Sequence, residues 1–187
     1  YLRAFSDNAG AEQDYRRGIE LNPNSARGYA GLAGVLFQDP LRRDESLAMV
    51  EQARRLDPLA EEYDVLKADF FLLGRGNLRE ADALLADVVA RHPLYKPGFE
   101  RLALVRRAEG NFADAIMYEE QALKLDPLDE WSRRMLIVDY ADIGDLVAAR
   151  QVSAEAPHKL PIQRLALLIA AGNWREAAEV TYAAIAD

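Results

Sequence analysis

Hydrophobic residues recur along this chain at intervals of three and four positions, the spacing that places side chains on one face of a helix. Leu102, Ala103 and Val105 follow this pattern in one segment, and Ile116 and Leu123 follow it in the next. No stretch shows the sustained apolar–polar alternation of a half-exposed strand. The pattern therefore predicts an all-α protein built from short amphipathic helices.

Prolines separate the helical segments at nearly constant spacing. Similar helix-ending sequences precede Pro23, Pro58, Pro93 and Pro127, at steps of 35, 35 and 34 residues, and a further step of 34 leads to Pro161. Because proline cannot continue a helix and disfavours helical geometry in the residue before it, each one separates two units. A repeat of this length is typical of arrays in which each unit is one supersecondary element stacked on its neighbours.

Within the repeats, a glycine-centred turn divides two helical patterns. An Asn or Asp follows each glycine, and the four glycines are Gly76, Gly110, Gly144 and Gly172. We predict a left-handed conformation at the glycine and capping of the next helix by the Asn or Asp. An alanine stands five residues beyond each glycine, at Ala81, Ala115, Ala149 and Ala177. A residue this small lets two helices approach closely.

These residues resemble the tetratricopeptide repeat family. The unit from Lys96 to Pro127 matches the family pattern through Phe99, Leu102, Ala103, Gly110, Phe112, Ala115, Ala122 and Pro127. The unit from Ala26 to Pro58 matches through Tyr29, Leu32, Ala33, Ala53 and Pro58, with residues 38–42 in place of the glycine turn. The resemblance covers nearly the whole chain. It implies about five to six repeats in a right-handed superhelical solenoid of antiparallel helix hairpins.

The expected domain organisation is a single repeat array over residues 1–187. Its units end near Pro23, Pro58, Pro93, Pro127 and either Pro157 or Pro161, and a final hairpin runs to Asp187. Pro157 interrupts the helix that would otherwise reach Pro161, which leaves the end of the fifth unit open between the two. Because the chain begins at Tyr1 without Met and ends in a helical pattern, we expect it to be a fragment of a longer protein.

Composition argues against several classes of function. With 23 basic and 31 acidic residues, the formal charge of −8 repels a phosphate backbone, so we expect no nucleic-acid partner. The apolar runs are much shorter than the roughly 20 residues of a membrane-spanning helix, so we expect no membrane insertion. The compartment stays open, since there is no cysteine to report it, and a cytoplasmic location is favoured.

The sequence offers little material for catalysis. There is no cysteine, and the two histidines, His92 and His158, lie beside prolines in turns between helices. Neither a phosphate-binding glycine loop nor a zinc-binding His-Glu-x-x-His motif occurs. We therefore expect a protein that is not an enzyme and carries no metal or cofactor.

The resemblance implies that the first helix of each hairpin lines a concave groove and that the second helix forms the outer wall. The second and third units are then predicted to contribute Arg27, Ala30, Gly34, Glu62, Val65 and Asp69 to the groove. The fourth and fifth are predicted to contribute Pro97, Glu100, Arg101, Leu104, Arg107, Trp131, Arg134, Met135 and Val138.

Trp131 is the most informative groove residue, because the repeat pattern does not reserve its position for a large aromatic side chain. Together with Arg101, Arg107 and Arg134 it makes a basic, aromatic patch that suits a peptide bearing carboxylates. In the alternative interpretation, Trp131 packs between adjacent hairpins and the arginines pair with carboxylates, for which Glu100, Glu130 and Asp142 are the candidates. The chaperone-tail adaptors of this family use Lys and Asn clamps that these positions lack.

The expected function is a protein–protein interaction scaffold that binds a peptide or protein partner in this groove. The alternative is an oligomerisation module or sensory arm of a larger bacterial regulatory protein. Two observations support that alternative. Residues 1–4 and 29–33 resemble repeat arrays attached to bacterial cyclases and winged-helix regulators. The segment 177–186 is too apolar to be an obvious polar cap for the end of the array, so homo-oligomers are a possible outcome.

Overall fold

A computed structural model describes residues 2–154 and Gly172. The chain divides into two compact units, Tyr1–Pro93 and Leu94–Asp187. Pro157, Pro161, His158 and the final hairpin to Asp187 lie outside the described residues, so the predictions made for them remain predictions.

The first unit consists of consecutive helices, each packed against the next. Its elements are α1 (Leu2–Leu21), α2 (Ala26–Phe37), a 3₁₀ turn (Pro40–Arg42), α3 (Arg43–Leu56), α4 (Glu61–Asp69), a π-helical segment (Phe70–Arg75) and α5 (Leu78–Arg91). Helices α2 and α3 form one hairpin, and α4 with its π-helical extension forms another with α5.

The second unit continues the same plan. Its described elements are α6 (Lys96–Ala108), α7 (Phe112–Leu125), α8 (Glu130–Asp142) and α9 (Leu146–Ala154). Consecutive helices again contact each other, so α6 and α7 form one hairpin and α8 and α9 the next. In both units, every regular element within residues 2–154 is helical, which confirms the predicted all-α class.

The turns inside the hairpins have the predicted chemistry. The four turn glycines have φ between 65° and 84°, the left-handed region in which a side chain is strained. After three of them, the side chains of Asn77, Asn111 and Asp145 each accept a hydrogen bond from the backbone three residues ahead, at 3.4, 3.3 and 3.0 Å. Each cap satisfies a backbone N–H that the first helical turn leaves unpaired.

The core of each unit follows the repeat. The predicted close-approach alanines Ala81, Ala115 and Ala149 are completely buried. Leu85 and Leu102 are also fully buried, and each such leucine stabilises the fold by about 1.5–3 kcal/mol through loss of apolar surface from water.

Two local structures depart from the simple hairpin. Where the second unit of the sequence pattern lacks its glycine, the Asp39 carboxylate accepts a 2.9 Å hydrogen bond from the Leu41 N–H and caps the 3₁₀ turn instead. In the next hairpin, α4 widens into the π-helical segment before the turn, and the Asn77 N–H donates to the Phe71 carbonyl at 2.8 Å. The sequence pattern did not predict this π-helical segment.

Candidate functional site

In the first unit, the predicted groove residues lie on α2 and α4 and differ in exposure. Arg27 and Glu62 are exposed at the starts of these helices, whereas Val65 is buried in the core. Gly34 and Asp69 both line a cavity enclosed by α2, α3 and the end of α4 with its π-helical extension. The first helices of this unit therefore present charged ends and an apolar recess between them.

In the second unit, Trp131 and Arg134 form a pair within the first two turns of α8. The Trp131 side chain is 47% exposed, and the Arg134 guanidinium carbon lies 5.6 Å from the centre of its ring system. Contact between a guanidinium and an aromatic face is attractive. The pair has no acidic partner among the described residues. Half of the tryptophan therefore stays available to solvent, with a positive charge stacked against it.

The other predicted groove residues of the second unit are partly buried. Leu104, Met135 and Val138 are partly buried on α6 and α8. Glu100 is held by Lys96, whose Nζ lies 3.1 Å from one of its carboxylate oxygens. Arg101 is also partly buried on α6.

Lys96, in turn, contacts carboxylates from its own helix and from the segment that leads into α8. Its Nζ lies within 3.2 Å of Asp126 and of Asp129, in addition to Glu100. Burial by itself would lower the pKa of Lys96, but the hydrogen bonds that its ammonium donates to these three carboxylates raise the pKa above its ordinary value. Lys96 therefore links the start of α6 to the start of α8 through Asp126 and Asp129.

Arg107, the remaining predicted groove arginine, has a different role. Its Nε and one terminal nitrogen donate to the two carboxylate oxygens of Asp139 at 2.6 and 2.8 Å. The same terminal nitrogen reaches Glu119 at 3.3 Å. Asp139 and Glu119 are completely buried, so Arg107 joins α6, α7 and α8 through one polar cluster. The arginine pairs with partners other than the three carboxylates considered from sequence.

Glu119 is the unusual member of this cluster. One of its oxygens, Oε2, is buried without a hydrogen-bond partner. Burial raises the pKa of Glu119 to about 7, although Ser132 and Arg107 partly oppose the rise. Sequence reasoning missed this residue, yet a signal was present. Glu119 stands four residues beyond Ala115, where the preceding unit has Leu85 four residues beyond Ala81.

A second buried carboxylate links helices in the first unit. Asp64 on α4 accepts hydrogen bonds from Arg54 of α3 at 2.6 Å and from Arg91 of α5 at 2.7 Å. Because Asp64 is only 7% exposed and both its oxygens are paired, it acts as a structural link rather than a free acid.

The described residues meet the requirements of neither a metal site nor a membrane-spanning helix. Within residues 2–154, no cluster of His, Asp and Glu has the arrangement of a metal site. No helix in that range is both long and apolar enough to span a bilayer.

No family model and no curated protein match this chain. Solved structures do match. A structure from the functional characterization of Pseudomonas aeruginosa pilF has a TM-score of 0.74 and 21% identity over 96% of this chain and 83% of that chain. TTC0263, a thermophilic tetratricopeptide repeat protein of Thermus thermophilus, gives 0.72 and 21%, covering 90% of this chain and 93% of its own. YrrB, described as a tetratricopeptide repeat protein with an unusual peptide-binding site, gives 0.63 and 19%, covering 91% and 90%.

Proposed function

We propose that this chain, whose fold is that of tetratricopeptide repeat proteins, is a non-enzymatic scaffold that binds a peptide or protein partner on its first-helix surface. In the first unit this surface comprises the exposed residues of α2 and α4, and in the second unit those of α6 and α8, the first helices of the hairpins. At 19–21% identity the similar structures establish the fold alone. YrrB's peptide-binding site supports the general role.

The observation that carries the proposal is the half-exposed Trp131 stacked by Arg134. Tryptophan and arginine are the residues most enriched among binding hot spots, because they bury large areas and make directional polar contacts. Because the Trp131 side chain is 47% exposed, the free protein lacks the favourable free energy that burial of this apolar surface would supply. A partner that covers it recovers that free energy.

The arginines of α6 and α8 indicate which chemical group a partner would present beside Trp131. Arg107 is occupied by Asp139 and Glu119, so it adds little to the basic patch expected from sequence. Arg134 is left to meet an incoming charge, and a guanidinium pairs best with a carboxylate. We therefore propose a partner segment that places an Asp, a Glu or a C-terminal carboxylate beside Trp131.

A peptide-display selection tests this proposal. Random peptides are selected on the wild-type protein, and the affinities of enriched peptides are measured by fluorescence polarisation against wild type, Trp131→Ala and Arg134→Ala. If the pair is a hot spot worth about 2 kcal/mol, each substitution weakens binding by roughly 30-fold. Peptides enriched in acidic residues are the expected selection.

Arg150→Ala supplies the matched control, since Arg150 is an exposed arginine on α9, the second helix of its hairpin. It should leave the affinity unchanged. Peptides that bind all four proteins equally would place the binding surface elsewhere. Failure to enrich any peptide, together with concentration-dependent mass on a sizing column, would transfer support to the oligomerisation alternative.

A further inference from the structure

The cavity in the first unit has the size of a site for one side chain. It lies between α2, α3 and the end of α4 with its π-helical extension, and its volume is about 280 Å³. Drug-sized ligands occupy pockets of about 300–1,000 Å³, whereas an apolar cavity of about 150 Å³ suffices for benzene. The space is therefore large enough for a single aromatic ring and lies at the lower end of the range for small-molecule pockets.

The walls of the cavity are mostly apolar, although the polar residues Gln38 and Asp69 also line it. Val50 and Phe70 are almost completely buried within it, and Leu73 is 54% exposed beside them. The one hydroxyl in the lining, that of Ser46, is already used, because it donates to the Ala33 carbonyl at 2.8 Å. An apolar group entering the cavity would leave no polar atom of Ser46 unpaired.

Two aromatic rings in the lining are held in place by arginines. The guanidinium of Arg43 lies 5.4 Å from the centre of the Phe37 ring, and that of Arg75 lies 5.4 Å from the centre of the Phe70 ring. Arg43 also donates to the Gly74 carbonyl at 2.9 Å, which ties α3 to the π-helical segment. Arginines packed against both rings restrict their movement, which makes this part of the lining preorganised.

Gly34 leaves one side of the cavity without a side chain. Glycine in the interior of a helix is destabilising relative to alanine, and a Cβ added at Gly34 would meet no atom within 4 Å. The described structure therefore gives no steric reason for glycine here. The corresponding positions one, two and three repeats later all carry side chains, in Asp69, Leu104 and Val138. A glycine is used where backbone must be approached closely.

The π-helical segment adds a further signal. It supplies Phe70 and Leu73 to the lining, and π-helical turns inside α-helices occur frequently at functional sites.

We infer that this cavity is a subsite for one phenylalanine side chain of the bound peptide, whose backbone passes over Gly34. The inference deepens the proposed scaffold function and rests on it. It concerns the first unit alone and is independent of Trp131 and Arg134.

The test uses acetyl-phenylalanine amide as the probe, with acetyl-alanine amide as its control. Each is titrated into ¹⁵N-labelled protein at millimolar concentrations, and amide chemical shifts are followed. We expect saturable shifts from the phenylalanine derivative at cavity residues such as Phe37, Val50 and Leu73. The alanine derivative should bind at least about tenfold more weakly, since it lacks the ring that fills the space.

Gly34→Leu places a side chain at the open wall and should abolish these shifts. Gly18→Leu is the matched control, because Gly18 is also a helical glycine whose Cβ would meet nothing within 4 Å. Leu73→Ser, at an exposed wall position, should weaken binding severalfold and provides a second variant in case Gly34→Leu fails to fold. Circular dichroism melting of all three variants reports folding.

The absence of saturable shifts from the phenylalanine derivative would overturn the inference, as would shifts that persist unchanged in a folded Gly34→Leu variant. The display-selected peptides separate this failure from failure of the proposed function. Peptides that lose affinity for Trp131→Ala would support the scaffold even where the phenylalanine derivative gives no saturable shifts, and that second result alone rejects the phenylalanine subsite.

Discussion

Replacing Glu119 with glutamine should stabilise this protein, and by an amount that grows with pH. Glu119 lies completely buried on α7, with Arg107 and Asp139 beside it. Its carboxylate shares the single positive charge of Arg107 with Asp139, so ionised Glu119 leaves the cluster with a net negative charge. Glutamine keeps the shape of the protonated acid and cannot ionise.

The magnitude follows from the pKa of Glu119, which burial raises from 4.5 to about 7. A raised carboxyl pKa means that the folded protein holds its proton more tightly than the unfolded chain does. The stability associated with that proton is fully present below pH 4.5 and is lost as pH rises through 7. The full difference corresponds to roughly 3 kcal/mol, and most of it falls between pH 5 and pH 8.

Urea unfolding followed by circular dichroism, repeated from pH 5 to pH 8, measures this effect. The free energy of unfolding of Glu119→Gln minus that of wild type should increase by about 2–3 kcal/mol across the range. Glu120→Gln is the matched control, because the neighbouring Glu120 is exposed and should give a difference that varies little with pH. A pH-independent difference for Glu119→Gln, or one that shrinks as pH rises, would refute the assignment of a buried proton to this site.

Two further predictions concern the repeat framework. Gly110→Ala should lower the free energy of unfolding by about 1–2 kcal/mol, because the φ angle of Gly110 is +78°. Gly18→Ala, within α1, should raise the free energy of unfolding by up to about 1 kcal/mol. Urea unfolding at pH 7 measures both changes, and changes of the same sign would contradict the reasoning. Leu85→Ala should lower the free energy of unfolding by about 2–5 kcal/mol, because Leu85 is fully buried. Leu59 is 82% exposed, so Leu59→Ala should leave the free energy of unfolding nearly unchanged in the same assay. Similar losses from both variants would contradict the assigned core.

The order of helices and turns in this protein was largely predictable, because the residues that end each helix act through local chemistry. Pro58 and Pro127 end units through the geometry of their own rings, and Gly110 adopts a left-handed turn that favours glycine. These effects act within a few residues, so they can be recognised in the sequence alone. The 3₁₀ turn at residues 40–42 and the π-helical segment at residues 70–75 were not predicted, since each arises where the regular glycine turn or helix period is altered.

The candidate site was predictable only in outline. The repeat pattern placed Arg107 and Arg134 on first helices, and both lie there. It could not distinguish Arg107, bound between two buried carboxylates, from Arg134, stacked on an exposed tryptophan. That distinction depends on which side chains of other helices come within about 3 Å, and such pairing is set by tertiary packing rather than by helical period.

The departures from the repeat are more informative than the matches. Asp139 is completely buried 34 residues after Val105, and Glu119 is completely buried 34 residues after Leu85, so two charged residues occupy places where the preceding unit has apolar ones. Buried ion pairs often stabilise a fold less than well-packed apolar residues do. Gly34, with no side chain where later repeats have one, is likewise unfavourable for its helix. Because folding alone favours none of these three choices, they are the first positions at which to look for binding and for pH-dependent behaviour.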